Sequence, residues 1–446
     1  MAAEGKSRFT RKGLVLQVKQ SRFGRFWRIL GPGLITGAAD DDPSGIATYS
    51  QAGAQFGYTT AWLMPLTLPL MTAVQEACAR IGAVTGKGLA AVIRLHYGRK
   101  VLYPVVLLVV VANTINIGAN IGAMAAATRL IVPTVSFTAL ALLFALVVIF
   151  FELFVSYRTL AKSLKWLAIT LLAYPLTAFI VQIPWDDVIK ATLIPRIEFS
   201  IDYLFIFVAV LGTTISPYLF FWQTSEVVEE EIASHRLAQK GGVPRLSAKF
   251  LRNLKTDNVI GMVFSNVTAF FIILTGAAVL HANGITQINS AADAARALEP
   301  LVQGFPNAGL ISKGIFAVGI IGLGLLAVPV LAGSSSYALS EALGWQEGLF
   351  RKLRQAKGFY TIIALGTLLG LTMNLIGIDP IKALVFTAVF NGLAAVPLVF
   401  LIARLSQSSD VVGVYTGGLL SRIVLAITFI IMSLAASALL VSFVLS

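Results

Sequence analysis

Gly37-Ala38-Ala39-Asp40-Asp41-Asp42-Pro43-Ser44-Gly45 sets three consecutive carboxylates and a proline in the middle of an apolar stretch running from about residue 27 to residue 56. A helix in lipid must satisfy its backbone groups internally unless it lines a cavity or is buried in protein. Proline has no N–H to donate, so the stretch predicts a helix that unwinds near residue 40 and restarts at Pro43. Asp42 is then the N-cap of the second half, with Pro43 at its first position and the carboxylate beside the positive end of the half-helix. Unwinding also frees carbonyls, such as that of Ala39, to face a cation. One carboxylate at the bilayer centre costs about 2.5–3.5 kcal/mol on insertion scales, so three in a row call for a functional partner. A cation site involving Asp42 is expected, with Asp40 and Asp41 facing an aqueous vestibule as outer contributors.

The rest of the chain agrees with a membrane setting. Of its 446 residues 57% are hydrophobic and 12% charged, about half the charged fraction of a soluble globular protein. Apolar spans fall near 27–56, 59–83, 101–131, 136–156, 164–183, 204–228, 258–282, 309–341, 359–378, 382–404 and 423–445, most of them long enough to cross a bilayer as a helix. This is an all-α polytopic membrane protein with eleven transmembrane helices. The net charge of +13 would suggest nucleic acid in a soluble protein, but the Lys and Arg collect in alternate loops. With the N-terminus inside, the inner segments hold Lys6 to Arg28, Lys87 to Lys100, Arg158 to Lys165, Arg236 to Lys255, Arg351 to Lys357, Arg404 and Arg422. The outer segments hold Arg129, Lys190, Arg196, Arg296 and Lys382. That imbalance predicts a cytoplasmic N-terminus and an external C-terminus in a cell membrane, a bacterial inner membrane being the expected one. No small-residue cleavage site follows the basic N-terminus, so the first span is expected to serve as its own insertion signal.

One cysteine, Cys78, excludes an intrachain disulfide, and the scattered His96, His235 and His281 have no zinc-ligand spacing,. No recognisable catalytic constellation is present, so an enzyme is not expected, nor a cofactor, a nucleic-acid partner or an obligatory protein partner. The longest loops, near 184–203, 229–257 and 283–308, are too short for a folded domain. Function is therefore expected among the helices.

Span 6 repeats the grammar of span 1. Leu211-Gly212-Thr213-Thr214-Ile215-Ser216-Pro217-Tyr218 again puts a small polar residue directly before a proline in an apolar run. Two breaks in corresponding places suggest two halves of five helices, the second inserted upside down, with the broken helices meeting near the membrane midplane. The expected division is a basic N-terminal segment 1–26, a first repeat 27–183, a second repeat 204–404 and an additional helix 423–446.

At these residues the sequence resembles the Nramp family of divalent-metal transporters. Gly31-Pro32-Gly33-Leu34 through Asp42-Pro43 to Gln51-Ala52-Gly53-Ala54-Gln55-Phe56-Gly57-Tyr58 is similar to the family's first helix in order and spacing, and Thr85-Gly86-Lys87, Gly212, Pro217 and Asn266 extend the likeness. The resemblance implies a LeuT-like fold of the APC superfamily and alternating access around a central metal. The departures are informative. Where the family carries Asp-Pro-Gly-Asn, this chain has Asp42-Pro43-Ser44-Gly45; where it carries Ala-Thr-Val-Met-Pro-His, this chain has Thr213-Thr214-Ile215-Ser216-Pro217-Tyr218. The implied metal site comprises Asp42, Ala39, Gly45, Thr213 and Ser216, with an asparagine and a methionine ligand lost. A thioether favours transition metals, whereas carboxylate, hydroxyl and carbonyl oxygens suit hard cations. Magnesium keeps several waters, and Thr213 is placed to hold one. The set looks like the Nramp-related magnesium branch, so the expected substrate is Mg2+, with Mn2+ also carried, as a largely hydrated ion. The family's proton route uses acids on span 3 and histidines on span 6. Here Asn116 and Ala119, and Tyr218 and Gln223, stand in their places, so tight proton coupling is not expected. The alternative is a proton-coupled Mn2+ or Fe2+ symporter; an amino-acid or amine carrier of the same fold is a more distant one.

Further polar candidates for the pathway are Gln75 and Glu76 in span 2, Glu226 in span 6 and Asn391 in span 10, the last expected to bridge helices. Asn113, Asn116 and Asn120 in span 3 fall near helical spacing and can line a wet path,. Tyr218 and Trp222, four apart, are expected to be packing residues.

Overall fold

The computed structural model describes residues 36, 37, 39–155, 167–239 and 241–445. The N-terminal basic residues, Gly31 to Leu34, Arg158 to Lys165 and Lys240 lie outside them. Within the described residues every expected span is wound wholly or partly as helix, and no strand occurs. Apolar runs of this length leave little choice, because each N–H and C=O must find its partner within its own segment.

Seven helices among the described residues are long and apolar enough to cross a membrane: Arg99–Arg129 (span 3), Phe137–Phe154 (span 4), Ile201–Ala233 (span 6), Ala248–Asn283 (span 7), Ala308–Leu343 (span 8), Pro380–Gln407 (span 10) and Leu419–Val444 (span 11). The other four depart for local reasons. Span 1 is broken and partly outside the described residues. Span 2, Leu63–Thr85, carries Gln75, Glu76 and Arg80. The described part of span 5 is a 3₁₀ stretch, Leu167–Leu172, followed by the helix Ala173–Ile180. Span 9, Lys357–Met373, stops short of the expected residue 378, where Gly377 adopts a positive φ of 80°.

Both breaks fall between the expected residues. In span 1 the helix ends at Asp40 and restarts at Pro43. In span 6 it ends at Thr214 and restarts at Pro217, with Ser216 extended at ψ 125°. The two broken helices touch there: the Tyr218 hydroxyl donates to the Ala39 carbonyl at 3.0 Å, and the hydroxyls of Tyr49 and Thr214 are 3.0 Å apart.

Span 3 packs against spans 8, 9 and 10, and the first half of span 6 packs against span 10. Gly212 makes that last contact backbone to backbone, since a Cβ there would overlap the Ala388 carbonyl oxygen and the Gly392 nitrogen. Gly53 meets the Ile273 carbonyl of span 7 in the same way, just before that helix widens into a π-turn at Gly276–Leu280.

The loops sort to two ends. The segments near 86–98, 229–247 and 344–356 meet at one end, where Glu229 accepts from the Leu349 N–H at 2.6 Å and Arg351 donates to the Gln239 carbonyl at 3.2 Å. This basic end also carries Arg94, Arg99, Lys100, Arg236 and Lys352. At the opposite end Gln51 of span 1 donates to the Thr286 carbonyl and accepts from the Ile288 N–H. A hollow of about 610 Å³ opens there between spans 1, 3, 6 and 10, lined by Gln51, Gln55, Phe205, Ile288 and Phe386 among others. A second hollow, about 290 Å³, lies at the basic end beside Glu229, Tyr337, Glu341, Glu347 and Arg351.

Candidate metal site

Asp42 is the N-cap of the helix Pro43–Phe56. One carboxylate oxygen accepts from the Gly45 N–H at 2.9 Å and from the Ser44 hydroxyl, and the other accepts from the Asn120 amide at 3.2 Å. Proline at the first helical position leaves the N–H of residue 45 for the cap, which is why Asp-Pro ends one helix and starts the next. Asp40, Asp41 and Asp42 are all fully buried, and no Lys or Arg among the described residues pairs with them.

The expected aqueous vestibule for Asp40 and Asp41 is therefore replaced by protein. Both carboxylates turn to Ser265 of span 7, whose hydroxyl is 2.9 Å from Asp40 Oδ2 and 3.0 Å from Asp41 Oδ1. A hydroxyl has one hydrogen to donate, so both contacts are made only if a carboxyl hydrogen supplies one of them. The remaining oxygens, Asp40 Oδ1 and Asp41 Oδ2, have no partner among the described residues. Asp40 and Asp41 thus meet at Ser265 while Asp42 bonds Gly45, Ser44 and Asn120, and no group of three or more His, Cys, Asp or Glu among the described residues is placed to hold a metal. A cation at this break would meet Asp42 and neutral oxygens.

Span 6 supplies some of those oxygens. Thr213 Oγ1 is buried without a partner among the described residues, and a Cβ placed on Gly45 would lie 3.5 Å from it and 3.4 Å from the Asp40 carbonyl oxygen. Absence of a side chain at Gly45 keeps that space open. The carbonyl beside it is that of Asp40; the Ala39 carbonyl, expected to be free, accepts from Tyr218. Ser216 donates to the Thr213 carbonyl at 2.7 Å and the Gly212 carbonyl at 3.2 Å, so its hydrogen closes the end of the first half-helix and its oxygen lone pairs remain.

Other candidates separate. In span 3, Asn116 accepts from Asn120 at 3.0 Å and from Thr387 of span 10 at 3.3 Å. Asn391, one turn beyond Thr387 on the same helix, was expected to bridge helices; it is buried, and neither of its amide atoms has a partner among the described residues. Gln75 is buried with an unpartnered Oε1. Glu76 pairs with Arg80 on its own helix, 3.5 Å away. Gln223 accepts from Thr36 at 2.8 Å, and Glu226 accepts from the Trp222 indole at 2.9 Å, so Tyr218 and Trp222 serve as hydrogen-bond donors besides packing. Ser265, Ser44 and Tyr49 were not singled out from the sequence. Ser265 precedes the noted Asn266, but a single serine on a long apolar helix carries no signal of which carboxylate it faces.

Asp42, Thr213 and Ser216 are buried, and none of them lies on the wall of either hollow described above. A helical bundle with two facing breaks and buried carboxylates at one of them is the architecture of a LeuT-like integral membrane protein. Over residues 33–442 the chain matches the family model of natural resistance-associated macrophage protein-like proteins, and it belongs to that family, Nramp.

Among relatives, it is 26% identical over 286 residues to the divalent metal cation transporter MntH of Brucella suis, covering 63% of this chain and 61% of that protein. It is 25% identical over 387 residues to the MntH of Caldanaerobacter subterraneus, covering 85% and 84%. The chain thus spans about three fifths of the first relative and most of the second. Among solved structures, the manganese transporter of Eremococcus coleocola in complex with an aromatic bis-isothiourea compound superposes with a TM-score of 0.71 at 17% identity, over 92% of this chain and 86% of that one. A nucleobase-cation-symport-1 family transporter superposes with a TM-score of 0.55 at 16% identity, over 93% and 91%. At these identities the two superpositions speak for the fold alone.

Proposed function

We propose that this protein is a secondary transporter that moves a divalent metal cation across the membrane, gripping it at the break of span 1. The observation that carries the reading is Asp42, a fully buried carboxylate with no cationic partner among the described residues, set at a helix break opposite a second break. A charge so placed requires a compensating charge, and a small cation supplies it. The proposed ligands are Asp42, Thr213 and Ser216 with backbone oxygens of residues 39 to 45, and Asn391, buried on span 10 with both amide atoms unpartnered among the described residues, is a further candidate. Spans 1–5 and 6–10 are read as the two inverted repeats, and the basic end as the cytoplasmic one.

Manganese is the metal that the relatives favour: the solved Eremococcus protein is titled a manganese transporter, and none of the proteins described above carries a magnesium name. Magnesium is a second reading, resting on chemistry alone. Every candidate donor is an oxygen, with Ser216 where a thioether would sit, and oxygen donors suit hard cations. Coupling also has two readings. Neutral Asn116, Tyr218 and Gln223 speak for uncoupled movement driven by the membrane potential, whereas the meeting of the Asp40 and Asp41 carboxylates at the Ser265 hydroxyl offers a proton-coupled Mn2+ cycle a place to begin. Uptake of Mn2+ into proteoliposomes carrying a luminal pH indicator tests all of these. Mn2+ uptake competed by Mg2+ at constant luminal pH supports the magnesium reading, uptake with luminal acidification supports the coupled manganese one, and uptake of neither ion refutes the function.

A further inference from the structure

Asn120 sits on span 3, away from both broken helices in sequence, yet its side chain reaches the break. Three acceptors crowd one end of its amide: the Asn116 carbonyl at 2.9 Å, Asn116 Oδ1 at 3.0 Å and Asp42 Oδ2 at 3.2 Å. An oxygen in that place would face only acceptors, so the orientation of the amide follows from its neighbours; its two hydrogens serve two of the three acceptors at a time. The other atom, Oδ1, is then an acceptor, completely buried, with no donor among the described residues. Buried acceptors in folded proteins are almost always satisfied. Because both atoms belong to one small planar group, Oδ1 lies within the reach of a single water from Asp42.

The surroundings narrow what can donate to it. Thr213 Oγ1 is likewise buried and unpartnered, and neither atom of the Asn391 amide has a partner among the described residues. These groups come from spans 3, 6 and 10, the elements packed around the break. A water bound to a divalent cation turns its oxygen to the metal and both hydrogens outward, so the outer face of a partly hydrated ion is made of donors. The oxygens of Asn120, Thr213 and Asn391, unpartnered among the described residues, complement that face and offer nothing comparable to a bare apolar solute, while the likewise unpartnered amide nitrogens of Asn116 and Asn391 are donors beside them.

We propose that Asn120 is a binding residue of the cation site: its NH2 group holds Asp42 Oδ2, and its Oδ1 accepts a hydrogen bond from a water retained by the bound divalent cation. The inference rests on the reading that Asp42 grips such a cation. Asn120 thereby sets affinity through the ion's hydration shell, and Thr387 of span 10 approaches Asn116 Oδ1 at 3.3 Å while its hydroxyl also lies 2.7 Å from the Leu384 carbonyl.

The test is Mn2+ uptake by the full chain in proteoliposomes, comparing wild type with Asn120→Leu, of similar size but without donor or acceptor, and Asn120→Ser, too short to reach. Loss of the two hydrogen bonds is expected to raise KM about tenfold with Vmax within about twofold of wild type. A merely structural role would lower Vmax through the amount of folded protein and leave KM alone. KM within about twofold of wild type, or a loss confined to Vmax, overturns the proposal. If the leucine variant does not fold, the serine variant decides on the same criterion. Asp42→Ala run in parallel separates the two levels: an active Asp42→Ala removes the cation reading and the Asn120 role with it. An inactive one alongside wild-type KM in both Asn120 variants removes only the latter.

Discussion

Ser216 stands where the likeness to the family places a methionine, and the oxygen it offers is the simplest reason to consider hard cations. Restoring the sulfur with Ser216→Met should shift selectivity toward manganese: Mg2+ competition against Mn2+ uptake is expected to weaken by about tenfold, the size of one lost ligand contact. Competition unchanged in that variant would remove Ser216 from the selectivity argument. Ser265 offers a second test. Ser265→Ala removes the hydroxyl that Asp40 and Asp41 share, and an unsatisfied buried polar group costs about 1–3 kcal/mol. A drop in the thermal unfolding midpoint in detergent is the expected result. At this scale the sequence was readable where the chemistry is local. Asp42 as cap and Pro43 as restart follow from adjacent residues. The partners of Asp40 and Asp41 do not, because Ser265 is brought to them by the packing of span 7 and no spacing in the chain records that approach.

The breaks in spans 1 and 6 were legible because proline lacks an N–H wherever it stands. Span 9 was not, since its end depends on the turn through Gly377. How the helices approach one another was equally hidden, and Gly212 and Gly53 show why: they read as ordinary membrane-helix glycines until the opposing backbone is in place. Gly212→Leu should abolish folded protein, because its side chain would have to enter the Ala388 and Gly392 backbone of span 10, and overpacking of that kind is not relieved by rotamer changes. Gly366 of span 9, whose Cβ position is open, is the matched control. Gly366→Leu is expected to leave the monodisperse yield in size-exclusion chromatography unchanged, and a comparable loss in both variants would argue against backbone contact as the cause.

For the whole molecule, charge at the basic end links stability to pH. Glu347, in the loop between spans 8 and 9, has its carboxyl held well above the usual carboxylate range, chiefly by burial and then by the charge of Glu341, against the pull of Arg94 and Arg351. The folded protein therefore keeps a proton that the unfolded chain releases from about pH 4.5 upward, so this contribution is full in acid and fades as pH rises toward the folded value. The unfolding midpoint should fall between about pH 6 and pH 9, and Glu347→Gln should flatten that slope; an identical slope in the variant would assign the effect elsewhere. A last consequence belongs to the break itself. Only Asp41 and Asp42 separate the two pieces of span 1, and the piece from Pro43 to Phe56 is keyed through Gly53 to span 7. That two-residue interval is where span 1 lacks helical hydrogen bonding, and it contains the proposed cation ligand Asp42. On the proposed function, a cation held by Asp42 would act at the same two residues where span 1 can bend, so grip and bending would share one place in the chain.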